Sequence, residues 1–165
     1  MKEYEYLEHT FAPVYDEHSE VLILGSFPSV KSRENRFYYG HPQNRFWKVI
    51  TRITGESRLP DTVEEKKDLL LRNHIAVWDV IQSCRIIGSS DSSIQDVTVN
   101  DISVILNAAP IRGIYANGGK AYELYRKYAR QMTGRECVKL PSTSPANAGC
   151  RLERLCEAWK QVMER

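Results

Sequence analysis

Short apolar runs alternate with amphipathic segments along this chain, and that alternation limits the folds that it can adopt. The runs VLIL, IAVWDV, RGIYAN and ECVKL, at residues 21–24, 75–80, 112–117 and 136–140, predict four strands. Strands that alternate with helices form parallel sheets with helices on both faces. The order therefore predicts an α/β protein, a three-layer α/β/α fold around a central four-stranded parallel sheet.

Five segments have the apolar spacing of amphipathic helices. They lie at residues 44–55, 60–74, 100–110, 120–132 and 151–163. Asp61 and Glu64 have the spacing of a capping box at the start of the second helix, and the third helix is expected to be capped near Asp101. Gly55 and Gly134 predict where the first and the fourth helix end.

The bulk composition predicts an ordinary globular chain. Its 165 residues indicate a single domain over residues 1–165, and 42% hydrophobic with 27% charged residues is typical of such domains. No apolar stretch is long enough to cross a membrane, and the segment MKEYEYLEHTF lacks the apolar core of a signal peptide. We therefore expect a cytoplasmic protein. Its four cysteines show no CxxC spacing, which predicts reduced, mostly buried thiols and no metal or cofactor.

The charged residues are unevenly distributed although the net charge is only +2. Residues 25–58 hold 7 basic and 2 acidic residues, and residues 106–165 hold 11 and 5. The segment 61–105 between them holds 4 basic and 8 acidic residues. This pattern is compatible with a positive face toward a polyanion. From charge alone, ordinary solvated helix faces are the slightly better explanation.

Parallel sheets place their binding sites in the loops at the carboxyl ends of the strands. Four loops qualify: GSFPSVKSRENRFYYGHPQN, WDVIQSCRIIGSSDSS, ANGGK and LPSTSPANAG. None contains the GxGxxG or GxxxxGK[ST] motif of nucleotide sites, or the GxSxG elbow of serine hydrolases. Of the four histidines, only His41 lies in such a loop. The loops therefore lack the familiar motifs of nucleotide-binding and serine-hydrolase sites. They are rich in aromatic, amide and serine side chains instead.

Three of these segments together resemble a known family. GSFPS at residues 25–29, YYGHPQNRFWKVI at 38–50 and LPSTSPANA at 140–148 are similar to motifs of the uracil-DNA glycosylase superfamily. WDVIQSC and YANGGKAY fall between them in the expected order, so the resemblance spans nearly the whole chain. It is strongest to the hypoxanthine-DNA (deoxyinosine) glycosylases and the mismatch-specific glycosylases. The resemblance implies an enzyme that flips a damaged base out of DNA and hydrolyses its glycosidic bond.

The resemblance also implies a role for each residue of a base pocket. Tyr39 aligns with a stacking aromatic side chain, and Phe27 is the expected second wall. Asn44 is the expected catalytic residue, which holds the attacking water, and Asp79 is expected to read the edge of the base. His41 completes the pocket. Many members carry Asp or Asn at the position of Phe27, so catalysis here depends on Asn44.

The last loop is expected to hold the DNA strand. Its clamp consists of Ser142, Ser144, Pro145 and Ala146. Asn147 is expected to reach the unpaired partner base or the backbone, and Lys120 and Arg45 are candidates for phosphate contacts. No lysine stands at a motif position that suggests a Schiff base. We therefore expect a monomeric, monofunctional enzyme whose partner is damaged DNA, double- or single-stranded.

Alternatives remain open at this point. The nearest alternative is a glycosylase with the same chemistry that prefers uracil or thymine opposite guanine. A non-catalytic DNA-binding module is the second, because Phe27 replaces a polar catalyst. The third is a small-molecule hydrolase that uses His41. Two single residues also have structural interpretations, since Asn44 suits a helix cap and Asp79 suits a turn cap.

Overall fold

Residues 3–164, the part of the chain that the computed structural model describes, contain seven strands. They are β1 (Glu5–Glu8), β2 (Val21–Gly25), β3 (Ile75–Asp79), β4 (Ile81–Ile86), β5 (Gln95–Val99), β6 (Gly113–Asn117) and β7 (Val138–Leu140). Four of them form an all-parallel sheet in the order β3-β2-β6-β7, which confirms the predicted central sheet.

Helices cover both faces of the parallel sheet, as predicted. They are α1 (Val30–Asn35), α2 (Phe46–Thr54), α3 (Val63–Arg72), α4 (Ser103–Ala108), α5 (Gly119–Leu124), α6 (Arg130–Thr133) and α7 (Leu152–Trp159). In β2, Leu22 and Leu24 face the core under α4 and α5, whereas Val21 and Ile23 face the core under α2, α3 and α7. This alternation divides the apolar core into two layers, one on each side of the sheet.

A second sheet, with the antiparallel order β1-β4-β5, was not predicted. The segment 78–93 was interpreted as a loop, and this was wrong from Ile81 to Ile86. Its serines and its arginine obscure the strand pattern, and the pairing depends on β1, which is remote in sequence. Because Val80 alone separates β3 from β4, the second sheet begins where the parallel sheet ends. Asn100 stabilises this crossing by donating hydrogen bonds to the carbonyls on either side of Val80.

The predicted capping box of α3 lies one residue away from the observed one. The capping box of α3 consists of Thr62 and Glu65, each side chain accepting the other's backbone N–H at 3.1 Å. Asp61 and Glu64 have the same spacing, so the pattern fits both pairs. α4 begins at Ser103, whose N–H donates to the Asp101 carboxylate at 3.2 Å, so this helix is capped near Asp101 as expected.

The predicted helix 120–132 is interrupted. A π-helical turn at Tyr125–Ala129 joins α5 to α6. The predicted stops hold: Gly55 and Gly134 end their helices in the left-handed conformation.

Candidate active site

A cavity of about 300 Å³ opens at the carboxyl ends of the parallel strands. All four predicted loops line it. The first contributes residues 25–29, Ser32, Tyr38, Tyr39, His41 and Asn44, and the last contributes residues 142–146. The other two contribute Asp79, Ser89, Asp91 and Asn117, of which Asp79 and Asn117 are the last residues of β3 and β6. The volume of the cavity lies at the low end of the range for ligand pockets, which suits a single planar base. All five residues predicted for catalysis and base binding line the cavity: Phe27, Tyr39, His41, Asn44 and Asp79.

Asp79 carries a buried carboxylate at the end of β3. It is 3% exposed, and its Oδ2 lies 2.8 Å from Nε2 of His9, whose side chain is also buried. Because a carboxylate only accepts, His9 Nε2 is the donor in this hydrogen bond. His9 follows β1, 70 positions before its partner, and no sequence motif pointed to it.

Gly25 ends β2 directly beside Asp79, and its missing side chain makes room for two polar atoms. A Cβ at this position would stand 2.4 Å from Asp79 Oδ1 and 3.1 Å from the Tyr39 hydroxyl. Any larger residue would therefore push both groups away from the strand.

We expect Gly25→Ala to lower the free energy of unfolding by about 1–3 kcal/mol, because the added methyl group overpacks the end of the strand. Denaturant unfolding measures this change. Gly119→Ala is the matched control, since a Cβ on Gly119 meets nothing within 4 Å. Equal stability of the two variants would show that the crowding at Gly25 is relieved at no cost.

Tyr39 contributes a half-buried ring and a buried hydroxyl. The ring stacks on Phe46 with centroids 3.9 Å apart, so only its opposite face can take a base. Within residues 3–164 its hydroxyl has no hydrogen-bond partner. Burial raises the pKa of Tyr39, and the nearby charge of Asp79 adds to this rise. The side-chain amide of Asn117, which also donates a hydrogen bond to Thr143, opposes it. The phenol therefore keeps its proton and remains a donor.

Asn44 reaches the cavity from the turn that precedes α2. Its Oδ1 accepts the backbone N–H of Phe46 at 2.9 Å, and its own N–H donates to the His41 carbonyl at 3.0 Å. Because the Phe46 N–H requires an acceptor, the amide orientation is fixed. This leaves the two Nδ2 hydrogens and one lone pair of Oδ1 for a water.

Two further predicted residues form the walls. Phe27 is 9% exposed, with the Arg33 guanidinium 5.8 Å above its ring. Phe27 therefore forms an apolar wall at the position where many similar proteins carry Asp or Asn. His41 lies at the rim, where its Nδ1 accepts the backbone N–H of Gln43 at 3.1 Å, which leaves Nε2 free to face outward.

The loop after β7 is rigid and turns its small residues toward the cavity. Ser144 caps a short 3₁₀ turn, Pro145–Asn147, by accepting the Ala146 N–H at 3.1 Å. Beneath it, buried Thr143 exchanges two hydrogen bonds of 3.0 Å with Asn117, one through its backbone N–H and one through its hydroxyl. Asn117 and Thr143 lie in the quoted motifs, but their role as a joint between strand and loop depends on tertiary contact.

Three residues predicted to contact DNA do not line the cavity. Asn147 donates its side-chain amide to the Ser142 carbonyl at 2.9 Å, so it folds onto its own loop. Arg45 donates from its guanidinium to the carbonyls of Cys150 and Asn147, and thereby supports the same loop. Lys120 is the second residue of α5, at the edge of the site.

The predicted site loop 78–93 forms a further wall through Ser89 and Asp91, two residues that the sequence analysis did not single out. Asp91 lines the cavity and accepts a hydrogen bond of 2.9 Å from the Ser26 hydroxyl. Contact with the first loop removes water from this carboxyl and raises the pKa of Asp91, although much of the residue remains exposed. Ser89 accepts the Val30 N–H at 2.9 Å and ties the same segment to α1. A sequence analysis that identified β4 as a strand would have placed Ser89 and Asp91, which follow it, beside the cavity.

Neither a metal site nor a membrane span is evident in residues 3–164. No group of three or more His, Cys, Asp or Glu side chains is arranged to hold a metal ion there. None of the helices in this range has the length and apolar character needed to cross a bilayer.

A cavity at the carboxyl edge of a parallel α/β sheet is the place where proteins of this architecture bind their ligands. The family model of the uracil DNA glycosylase superfamily matches residues 12–163. The chain belongs to this superfamily.

Three similar proteins refine this placement. A hypoxanthine DNA glycosylase of Methanosarcina acetivorans is 40% identical over 94% of this chain and 98% of that protein. One of Methanosarcina barkeri is 36% identical over 94% of this chain and 97% of its own length. A solution NMR structure from Methanosarcina acetivorans, described as a candidate uracil DNA glycosylase, superimposes with a TM-score of 0.78 at 39% identity, covering 94% of this chain and 97% of that one.

Proposed function

We propose that this protein is a DNA glycosylase that hydrolyses the N-glycosidic bond of hypoxanthine in DNA and leaves an abasic site without cutting the strand. The observation that carries the proposal is a base-sized cavity with a buried carboxylate, Asp79, at its floor. The relatives named hypoxanthine DNA glycosylase cover almost the whole chain and support the same substrate.

Base recognition follows from the hydrogen-bonding edge of hypoxanthine. That base presents the N1–H donor beside the O6 acceptor, whereas adenine presents an acceptor at N1. An ionised carboxylate only accepts, so Asp79 takes the N1–H and disfavours adenine. Backbone amides near Phe27 serve O6, and Tyr39 and Phe27 bound the ring. Stacking on an aromatic side chain contributes about 1–3 kcal/mol for each base.

Asn44 holds the attacking water. A glycosidic bond breaks largely before water attacks, through an oxocarbenium-like state, so a strong base is not required. Orientation of the water below C1′ is the main contribution of such a group. The fixed amide of Asn44, half-buried at the cavity, has two donors and one lone pair for this purpose.

The strand is held by the rigid loop after β7. Ser142, Ser144, Pro145 and Ala146 line the cavity from this loop and offer hydroxyls and small apolar groups to the displaced nucleotide. Lys120 and Arg45 are proposed as phosphate contacts, Arg45 through donors that its two carbonyl partners leave over. Asn147 contributes to DNA binding through the loop backbone that it fixes.

The proposal predicts which lesions are processed. Oligonucleotides that carry single deoxyinosine, deoxyuridine, deoxyxanthosine or mismatched thymidine are incubated with the protein, and abasic sites are then cleaved with alkali. We expect the deoxyinosine strand to be cleaved only after alkali, and fastest. Cleavage of the uracil strand alone would replace hypoxanthine by uracil or thymine opposite guanine as the substrate. Absence of cleavage on every lesion would favour a DNA-binding module.

The monomeric state and the cytoplasmic location belong to the same proposal. His41 belongs to it as a rim residue rather than a nucleophile, because its Nδ1 is engaged in the turn. The alternative of a small-molecule hydrolase loses its only candidate base if His41→Asn leaves DNA activity intact.

A further inference from the structure

We propose that His9 is a specificity-determining positioning residue: it holds the Asp79 carboxylate so that Asp79 Oδ1 and the Tyr39 hydroxyl form one acceptor–donor pair that reads the base edge. The inference rests on the proposed function and deepens it. It assigns a role to a histidine outside the family motifs, and it gives Tyr39 edge recognition in place of the expected stacking, because a phenol hydroxyl lies in the plane of its own ring and cannot donate to a base stacked on that ring.

The first step is the immobility of His9. Its ring lies among Phe11, Tyr38 and Phe27, at centroid distances of 4.4, 5.9 and 6.3 Å. Its backbone N–H donates to the Gln82 carbonyl at 2.7 Å, which fixes the segment to β4. Since the side chain is only 2% exposed, the ring has no room to leave its partner.

The second step is the effect on Asp79. His9 Nε2 lies 2.8 Å from Oδ2, and that hydrogen bond sets the plane of the carboxylate. The other oxygen, Oδ1, then lies above the Cα of Gly25. A carboxylate without this donor is free to rotate about its terminal torsion, which has a broad energy minimum.

The third step is the convergence of two oxygens. The position that a Cβ on Gly25 would occupy lies 2.4 Å from Asp79 Oδ1 and 3.1 Å from the Tyr39 hydroxyl, so both oxygens approach the same point. No hydrogen bond joins these two groups. The Tyr39 hydroxyl is a buried donor with no partner in the described part of the chain. Buried polar groups are rarely left in this state, and a ligand atom is one way to satisfy them.

The pair matches one kind of base edge. Asp79 Oδ1 accepts from an N–H, and the Tyr39 hydroxyl donates to a carbonyl oxygen beside it. Hypoxanthine offers N1–H and O6 in that arrangement, whereas adenine offers an acceptor and a donor, the reverse of both. Discrimination comes from leaving buried polar groups unpaired when the wrong edge enters.

The test compares two bases that differ only at this edge. Duplexes carry the non-hydrolysable 2′-fluoro-arabino forms of inosine or of unsubstituted purine, which has neither N1–H nor O6. We expect the wild type to bind the hypoxanthine duplex about 10–100-fold more tightly than the purine duplex. His9→Phe keeps the aromatic packing but removes the donor, so most of this ratio is lost while binding of the purine duplex changes little.

Two further variants sharpen the test. His9→Gln retains an N–H donor and is expected to keep much of the ratio. Tyr39→Phe removes the second member of the pair without touching His9, and it lowers the ratio even if His9→Phe does not fold.

An unchanged ratio of the two affinities in His9→Phe would overturn the inference. If both duplexes bind equally more weakly, His9 contributes to packing alone. Excision of hypoxanthine from an ordinary deoxyinosine duplex by the wild type is measured in parallel. If that excision is absent, the proposed function fails; if it is present and His9→Phe keeps the ratio, only the inference about His9 fails.

Discussion

We expect Asn44→Ala to lower the single-turnover rate of hypoxanthine excision by about 10²–10³-fold, within the range for loss of a positioned catalytic group. Binding of a deoxyinosine duplex should change little, because Asn44 acts on the water rather than on the base. Quenched-flow excision assays give the rate, and titration of a non-hydrolysable duplex gives the affinity.

The control must separate catalysis from helix capping. Asn44 Oδ1 accepts the Phe46 N–H, and loss of a cap costs about 1 kcal/mol of stability. Asn44→Ser restores an acceptor for that N–H but has no amide nitrogen for the water. We expect it to be as stable as the wild type and nearly as slow as Asn44→Ala. A stable Asn44→Ser variant with wild-type rate would reduce Asn44 to a cap.

The second large effect is expected at Asp79. In Asp79→Asn the carbonyl of the new amide accepts from His9, and its NH₂ group then faces the cavity. That donor opposes the N1–H of hypoxanthine, so we expect excision to fall about 100-fold, as for loss of a hydrogen bond to a charged group. Single-turnover assays at saturating enzyme measure the change.

Asp79→Asn has a natural control in the reaction product. DNA with an abasic analogue contains no base edge, so the variant and the wild type should bind it equally. A variant that excises hypoxanthine within threefold of the wild-type rate would show that Asp79 does not contact the base (threefold being about 0.65 kcal/mol, less than one such hydrogen bond).

Local patterns were sufficient to predict the parallel sheet. The apolar runs of β2 and β3 and the helical spacing of α2 and α7 depend on residues close in sequence. Tyr38 and Tyr39 both line the cavity, but only Tyr39 was predicted to do so. Tyr38 is 2% exposed and donates to the Ala12 carbonyl, a contact with a residue 26 positions earlier.

The unpredicted features depend on contacts between distant residues. The second sheet requires β1 to pair with β4, and the approach of His9 to Asp79 spans 70 positions. Asp91 reaches the cavity only because that sheet folds over the first loop. Arg45 was predicted to contact phosphate from its charge, but the carbonyls that surround it give it a second task in supporting the loop. Neither spacing nor charge encodes such neighbours.

A glycosylase of this kind hydrolyses the glycosidic bond in the cavity above Asp79. The most direct measurement is chromatographic analysis of the products from a deoxyinosine duplex, with the wild type and Asn44→Ser in parallel. We predict free hypoxanthine in amounts equal to abasic sites, with an intact strand before alkali, and little of either product from the variant. A strand cut with the base still attached, or equal amounts of hypoxanthine from both proteins, would contradict the account.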